Sequence, residues 1–411
     1  NESILYNISG VCLKANGKLE MAAQSFKSAI NLKPDFVDAH YNLALTLQEL
    51  NQLDAAVKSY KKTLSFDITY AKAYINLGIV FKELGQMEEA IESYEQLIVI
   101  QPDNALAHHN LGNLMTELGE LDNAIKSYKN ALIIQPDYFE VHNNLGSILN
   151  ELGQNDEAIK CYELALTINP NFADAHNNLG IVHQSIDQPD EAANCYKKAI
   201  AINPEHSEAL SNLGNILKEC GQFDEAIDFY KKALTVNPKF DNAHYNLGVA
   251  LYKLGKTDKA IATFKQLLIN NPNFADALNF LGTLFHDLGQ VDEAINCYVN
   301  ALAIEPDNSH FHYNFSQLKR YKLGDTQFTH MQSLLSRKDL IGSERIRLCF
   351  ALAKAYEDLG NKTELFKVLN EGNSLLKKEL NYLIETDLKK HSKIRKLFKS
   401  VNTKPSYDQI A

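Results

Sequence analysis

A column of asparagines recurs along the chain at a fixed spacing. An asparagine amide offers two N–H donors and a carbonyl acceptor, which match the hydrogen-bonding groups of a peptide bond. Amides at regular intervals can therefore hold the backbone of an extended segment with little regard to its side chains. Seven stand 34 residues apart, and an eighth returns after one missed position at Phe280: Asn42, Asn76, Asn110, Asn144, Asn178, Asn212, Asn246 and Asn314. We call these eight residues the ladder asparagines.

Polar side chains beside the ladder asparagines extend the candidate surface. The residue before each ladder position varies in type, and so does the residue three positions after it, as is typical of a recognition surface. Amides at these flanking positions complete the candidate peptide-binding set: Asn113, Asn143, Asn177 and Asn215. An alternative stays open, because each asparagine could instead cap local backbone or brace its neighbour.

Two helices per repeat are expected to position these side chains. In residues 71–104, apolar residues around Leu77 recur at helical spacing until Gly85, and glycine suits a helix end. A second apolar stripe around Tyr94 then runs to Pro102, which interrupts it. Two such helices bury one another but leave one face bare, so each repeat needs the next one to cover it.

Glycine and aromatic residues recur on the same grid. The glycines predict close approach to a neighbouring helix, and the aromatic residues are expected to fill the gap between repeats. These columns are Gly78, Gly112, Gly146, Gly180, Gly214, Gly248 and Gly282, with Tyr60, Tyr94, Tyr128, Tyr162, Tyr196, Tyr230, Phe264 and Tyr298. The pattern resembles the tetratricopeptide repeat, whose period is about 34 residues. The resemblance implies an all-α fold, a right-handed α-solenoid superhelix of tandem helix pairs whose first helices line a concave groove.

The repeat grid divides the chain into four parts. They are nine repeats in residues 1–308, a degenerate repeat in 309–342, a divergent helix pair in 343–380, and a basic helix with a tail in 381–411. The first repeat is imperfect and is expected to be one residue off register near Asn7. Because the chain begins with Asn1, it is expected to be a fragment of a longer protein.

Charge is distributed unevenly. Residues 1–315 hold 22 basic and 40 acidic residues, whereas residues 316–411 hold 19 and 11 and contain every arginine. Since arginine supplies the forked donors best suited to phosphate, nucleic acid is not expected as a partner of the first three quarters. The basic run in 389–399 indicates either weak contact with an anionic surface or, as favoured, a linker helix. No apolar run approaches the roughly 20 residues of a membrane span, and a cytoplasmic location is expected.

Other chemistry-bearing residues follow the same grid and are interpreted as structural. One histidine per repeat recurs at His40, His108, His142, His176, His244 and His312. Zinc needs ligands that converge on one point, so no metal site is predicted. The cysteines lack CxxC spacing and are expected to be free thiols. Lys256-Thr257 follows a glycine, but the earlier glycine of a phosphate-binding loop is missing. No cofactor and no catalytic residue is predicted, so this chain is not expected to be an enzyme.

Two finer resemblances bear on function. The ladder resembles the one in protein O-linked N-acetylglucosamine transferases, which implies a scaffold that binds an extended peptide segment in a concave, asparagine-lined groove. Residues 311–325 and 350–373 resemble the junction in bacterial tetratricopeptide–sulfotransferase proteins. That resemblance implies an alternative, in which the chain is the substrate-recognition arm of a larger sulfotransferase or glycosyltransferase whose catalytic domain lies beyond residue 411.

Overall fold

Helices form the regular secondary structure of the computed structural model, which describes residues 2–380, and no strand occurs among those residues. The chain divides into an N-terminal unit, residues 1–216, and a C-terminal unit, residues 217–411. The helices before the division are α1 (Glu2–Ala15), α2 (Leu19–Leu32), α3 (Val37–Glu49), α4 (Leu53–Phe66), α5 (Ala71–Glu83), α6 (Met87–Ile100), α7 (Ala105–Glu117), α8 (Leu121–Ile134), α9 (Phe139–Glu151), α10 (Asn155–Ile168), α11 (Ala173–Ser185) and α12 (Pro189–Ile202).

The division falls within α13 (Ser207–Glu219). The helices after it are α14 (Phe223–Val236), α15 (Asp241–Lys253), α16 (Thr257–Asn270), α17 (Ala275–Asp287), α18 (Val291–Ile304), α19 (Ser309–Leu318), α20 (Thr326–Ser336), α21 (Gly342–Asp358) and α22 (Lys362–Glu379). Within the described residues, none of these helices combines the length and apolar character that crossing a membrane requires. The basic helix predicted in 381–411 lies outside the described residues.

A tight turn joins the two helices of each repeat. Between α5 and α6, Gly85 has a φ angle of 72°, a left-handed conformation that costs a residue with a Cβ atom about 1 kcal/mol or more. The backbone N–H of Gln86 then donates to the carbonyl oxygen of Phe81, which satisfies an acceptor at the end of α5. Asn51 and Asp187 take the same left-handed conformation where their repeats lack this glycine, and these residue types tolerate it best after glycine.

In seven of the helix pairs, an aromatic ring from the second helix lies against a glycine of the first helix. A Cβ atom on Gly112 would lie 2.5 Å from the Tyr128 ring, so the ring occupies the space that any side chain would need. The same approach occurs at Gly10–Phe26, Gly78–Tyr94, Gly146–Tyr162, Gly180–Tyr196, Gly248–Phe264 and Gly282–Tyr298. Each of these rings therefore packs inside its own helix pair. The expectation that the rings fill the gap between repeats is confirmed for two of them, since the Phe264 ring lies 5.1 Å from that of Phe280 and the Tyr298 ring 6.4 Å from that of Phe315 in the following repeats.

The histidine column fastens the loop that enters each first helix. In each case the ring Nε2 lies within hydrogen-bonding distance of a proline carbonyl oxygen six residues earlier, from 2.7 Å for His312 and Pro306 to 3.3 Å for His108 and Pro102. The other pairs are His40–Pro34, His142–Pro136, His176–Pro170 and His244–Pro238. A carbonyl oxygen only accepts, so Nε2 carries the proton. Each histidine thus ties a helix to its own loop.

The regular pairing changes after α19. This helix has 10 residues, whereas the first helix α17 has 13. Lys319 follows it and forms an ion pair of 2.8 Å with Asp325, and its ammonium group lies 5.1 Å from the centroid of the Phe315 ring. Helix α21, and not α20, is the main neighbour of α19. The sequence from residue 309 onward therefore forms a different helical arrangement from the repeats before it.

Two cysteines of the repeat grid are enclosed. Cys195 and Cys297 are buried, and burial raises the pKa of both thiols, to about 11 at Cys297. Because the thiolate is the reactive form, these groups are inert near neutral pH. They act as small core side chains.

Replacing Gly112 with alanine is expected to lower the free energy of unfolding by about 1–3 kcal/mol, because the added methyl group would overlap the Tyr128 ring. At an unobstructed helix position the same change stabilises by about 1 kcal/mol. The sign of the change in urea unfolding therefore tests the packing. In a Tyr128→Leu background, which has no ring to overlap, Gly112→Ala should destabilise less than in the original chain. A single Gly112→Ala variant more stable than the original chain would contradict the proposed overlap.

Acid is expected to destabilise the structure around His312. Burial lowers the pKa of His312 to about 4, while an unfolded histidine titrates near pH 6.5. The unfolded state therefore binds more protons between these values, so stability falls as the pH drops from about 6.5 to about 4. Urea unfolding at about pH 7 and about pH 4.5 measures the effect. His312→Gln lacks the titrating group, so its stability should fall less over this range, and equal losses in both proteins would refute the assignment.

Candidate functional site

The ladder asparagines form hydrogen bonds between successive repeats. Asn178 donates its side-chain N–H to Oδ1 of Asn143 at 3.1 Å, and Asn212 donates to Oδ1 of Asn177 at 3.1 Å. Each acceptor stands 35 residues before its donor, directly before the previous ladder position. Equivalent bonds join Asn42 to Asn7, Asn76 to Tyr41, Asn144 to His109 and Asn314 to Asn279. This geometry favours the bracing interpretation for one N–H of each of these amides.

The first repeat joins the same series. Asn7 accepts from Asn42 at 3.1 Å, which is the role of the residue before a ladder position. Ile8 therefore occupies the ladder position itself, and Gly10 packs on Phe26 as the later glycines pack on their rings. The predicted one-residue shift near Asn7 is wrong, because the first repeat is in register and simply has isoleucine at the ladder position.

Asn110 differs from the braced residues. The residue 35 positions before it is Ile75, which has no polar side-chain atom and offers no acceptor. Within the described residues, the half-buried Asn110 side chain has no hydrogen-bond partner. Both of its N–H groups and both lone pairs of its oxygen are therefore available to a ligand.

Two of the predicted flanking residues face the interior. Asn143 and Asn177 have exposed fractions of only 7% and 1%, and their oxygens accept from the next ladder asparagine. They are placed to orient the ladder, with little surface left for a ligand. Asn279, which sequence analysis did not select, accepts in the same way from Asn314 at 3.0 Å. The sequence could have identified Asn279, because it stands at the repeat position directly before the gap at Phe280.

A hydrogen-bond network surrounds His109. Its Nε2 accepts from Asn113 and from Asn144, both at 3.2 Å. Oδ1 of Asn113 accepts from Asn144 at 3.0 Å and from the Tyr128 hydroxyl at 2.7 Å. Burial lowers the pKa of His109, which keeps its ring neutral and able to accept. Asn113 is thus largely committed to the protein, while Asn215 is half-buried.

The remaining hydrogen-bonding capacity is uneven along the ladder. Asn144 directs its amide nitrogen to two partners in the network. Asn178 and Asn212 each use one N–H in a brace, which leaves a second N–H on each. Asn212 also keeps both lone pairs of its oxygen, since no described residue donates to it. These groups can donate to, and accept from, a peptide backbone.

A hollow of about 340 Å³ lies beside this part of the ladder in the N-terminal unit. Its polar lining includes Lys82, Asn113, Glu117, Asn144, Ser147 and Glu151. Lys82 forms an ion pair with Glu117 of the following repeat. The exposed Glu151 carboxylate has no ion pair or hydrogen bond with any described residue.

Phe280 replaces the ladder amide in the C-terminal unit. Its ring centroid lies 5.1 Å from that of Phe264, 5.6 Å from that of Tyr252 and 6.2 Å from that of Tyr245. Tyr245 stands 35 residues earlier, where Tyr41 accepts a hydrogen bond from Asn76 in the N-terminal unit. Aromatic packing thus takes the place of a brace. Because Phe280 has no side-chain amide to offer a peptide, we expect binding to be weaker at this repeat.

Asn246 contacts a half-buried cation in the same unit. Its Oδ1 accepts from Nζ of Lys218 at 2.7 Å. Burial lowers the pKa of the Lys218 ammonium group. One acceptor position of this ladder residue is therefore already occupied.

Family models match most of the repeat region. The model described as "Cilia and flagella-associated protein 70 C-terminal domain", a tetratricopeptide-repeat model, matches residues 67–273, about half of the chain. The chain belongs to this tetratricopeptide-repeat family. Models described as "Tetratricopeptide repeat" match residues 37–67 and 245–310, and one described as "TPR repeat" matches residues 13–51. Membership of this family supports a protein-interaction scaffold.

Three solved structures are among those to which the chain is similar. The APC/C hetero-tetramer Cut9–Hcn1 is 19% identical, with a TM-score of 0.53, over 73% of this chain and 59% of that chain. YrrB, titled "a TPR protein with an unusual peptide-binding site", is 26% identical, with a TM-score of 0.39, over 46% of this chain and 97% of that one. PilF of Pseudomonas aeruginosa is 22% identical, with a TM-score of 0.46, over 49% and 92%.

The match to Cut9–Hcn1 supports the helical-repeat fold. No curated protein matches the chain significantly. The resemblances to sulfotransferase-linked repeats and to the asparagine ladder of glycosyltransferases stay predictions.

The braced and unbraced ladder residues offer a matched pair of stability tests. Asn178→Ala removes the hydrogen bond to Asn143 and is expected to lower the free energy of unfolding by about 0.5–1.5 kcal/mol, or more because the Asn143 acceptor is buried. Asn110→Ala makes the same chemical change without losing a bond to the protein, so its effect should be much smaller. Urea unfolding of both variants measures the two losses in the free energy of unfolding. Equal losses would contradict a stabilising role for the hydrogen bond from Asn178 to Asn143.

Proposed function

We propose that the N-terminal unit is an interaction scaffold that binds an extended peptide segment of another protein along the ladder. The observation that carries this proposal is the unpartnered amide of Asn110, set among braced asparagines that keep part of their capacity. If the ladder asparagines served only to join repeats, Asn110 would contribute nothing, because Ile75 offers it no acceptor. The braces add to this function, since they hold the neighbouring amides in fixed orientations before a ligand arrives.

The spacing of the repeats suits an extended chain. Packed helices lie about 8–10 Å apart, and a polyproline II segment advances about 3.1 Å per residue with three residues per turn. About three ligand residues would therefore pass each repeat, and every third residue would point in the same direction. A ladder amide in each repeat then meets an equivalent backbone group of the ligand.

Several amides must act together. A hydrogen bond contributes only about 0.5–1.5 kcal/mol after exchange with water, whereas ordering a segment and its side chains on binding has a larger cost. Within the N-terminal unit, Asn110 has the most remaining capacity. Asn42, Asn76 and Asn212 follow, since each uses one N–H in a brace and no described residue donates to its side-chain oxygen. The alternative of a recognition arm within a larger sulfotransferase or glycosyltransferase would use this same surface, and it has no additional support from the described residues.

Asn110→Ala is expected to weaken binding without loss of stability. Display selection of random peptides against the full chain would supply a probe, and fluorescence anisotropy would measure its affinity. Loss of one or two hydrogen bonds should weaken binding roughly two- to tenfold. Asn123→Ala serves as the control, because it makes the same change at an exposed position of the second helix α8. Unchanged affinity in Asn110→Ala, or failure to select any peptide, would count against the proposed function.

A further inference from the structure

The charge of the N-terminal unit limits the partners that it can attract. Residues 1–216 contain 28 acidic residues, 14 lysines and no arginine. Such a surplus draws cationic partners and repels anionic ones.

Four carboxylates of the N-terminal unit share one repeat position beside the ladder. Each stands seven residues after a ladder asparagine, two helical turns along the same first helix: Glu49, Glu83, Glu117 and Glu151. Glu117 and Glu151 line the hollow that also contains Asn113 and Asn144. The position therefore lies on the surface that carries the proposed peptide-binding amides.

The protein neutralises some of these positions from the preceding repeat. Lys82, 35 residues before Glu117, forms an ion pair with it. At the same position in the first repeats, Lys14 pairs with Glu49 at 2.9 Å. Where the preceding repeat has a lysine 35 residues before the glutamate, the chain itself thus neutralises the carboxylate.

Glu151 has no such partner. The residue 35 positions earlier is Thr116, whose hydroxyl donates to the carbonyl oxygen of Gly112 and carries no charge. Lys82, a cation that lines the hollow, is already paired with Glu117. The carboxylate of Glu151 therefore stays unpaired within the described residues, at the edge of a hollow large enough for a long side chain.

Glu83 is unpaired for a comparable reason. The residue 35 positions earlier is Gln48, whose Oε1 accepts from the Tyr60 hydroxyl at 2.8 Å. Glu83 and Glu151 lie two repeats apart, with the neutralised Glu117 between them. Two repeats correspond to about 16–20 Å, and six residues of an extended polyproline II chain span about 19 Å.

We propose that the segment bound by the N-terminal unit is basic, with one lysine or arginine seated beside Glu151 and a second, six residues away, beside Glu83. This inference rests on the proposed function and adds the chemistry of the partner. The ladder amides hold the backbone of the segment, and the two free carboxylates select its side chains. An acidic segment would instead meet uncompensated negative charge at both places.

The test uses labelled twelve-residue peptides of serine, alanine and glycine with two lysines six positions apart. Counterparts have norleucine or glutamate at those two positions. Fluorescence anisotropy with the full chain, at about 50 mM salt to limit screening, is expected to rank lysine first and glutamate last. Glu151→Gln should weaken binding of the lysine peptide about two- to fivefold, as for a partly exposed ion pair.

Lys82→Gln should have the opposite effect. It frees Glu117 and should tighten binding of the lysine peptide by a similar factor. Glu163→Gln, at an exposed position of the second helix α10, makes the same charge change as Glu151→Gln and should leave affinity unchanged. Glu151→Gln and Lys82→Gln both replace an exposed side chain, so circular dichroism should show that both variants are folded.

The outcomes separate the two proposals. Equal affinity for lysine, norleucine and glutamate peptides would overturn the basic partner but leave peptide binding intact. Changes of the same sign in Glu151→Gln and Lys82→Gln would also overturn it. If none of these peptides binds and display selection also yields none, the proposed function itself fails.

Discussion

The side-chain hydrogen bond from a ladder asparagine to the preceding repeat determines how the rest of the candidate site is arranged. In the bond from Asn178 to Asn143, one N–H is fixed against the neighbouring helix, so the orientation of the whole amide is fixed. The second N–H and the oxygen must then point elsewhere. A series of such bonds gives a row of amides with a common orientation, prepared before any ligand is present, and preorganisation of this kind lowers the entropy that binding must overcome.

The face of the ladder could be predicted from sequence, but its hydrogen bonds could not. A period of 34 residues identifies which side chains share a position. The braces, however, join residues 35 apart, so they cross from one column to the adjacent one. The sequence also does not show that Asn143 accepts the bond to the next repeat while Asn144 donates the bond to the preceding one. Neighbours in a helix differ by about 100° in direction, and only the packed structure shows that Asn143 is buried while Asn144 remains half-exposed.

For the packing inside the repeats, too, the sequence identifies the residues but does not identify their contacts. Gly112 and Tyr128 were identifiable as columns, and the helix ends at glycine followed from local chemistry. Which ring meets which glycine depends on the angle between helices, and periodicity contains no information about that angle. The histidines were correctly interpreted as packed side chains, yet the bond from His312 to the Pro306 carbonyl required the loop geometry. The helices and the recurring positions are therefore encoded in local sequence patterns, whereas the partner of each side chain depends on tertiary contacts.

Departures from the repeat are the positions where the structure is most informative. Ile75 offers no acceptor to Asn110, and Thr116 offers no cation to Glu151. Each absence leaves a polar group of the following repeat unsatisfied by the protein. Phe280 is a different kind of departure, since its ring packs with Phe264 and Tyr252 and leaves no group in need of a partner. Only the first kind suggests a place for a ligand.

The direction of the braces also bears on how such a chain can lengthen. Every donor in these braces points toward the repeat on its N-terminal side. A repeat such as residues 139–172 contains both a donor, Asn144, and an acceptor, Asn143. A tandem duplication of those 34 residues would place the donor of the second copy opposite the acceptor of the first. Unequal crossing-over between repeats would thus preserve the bonding at the new junction, whereas insertion of one residue within a helix would misalign it.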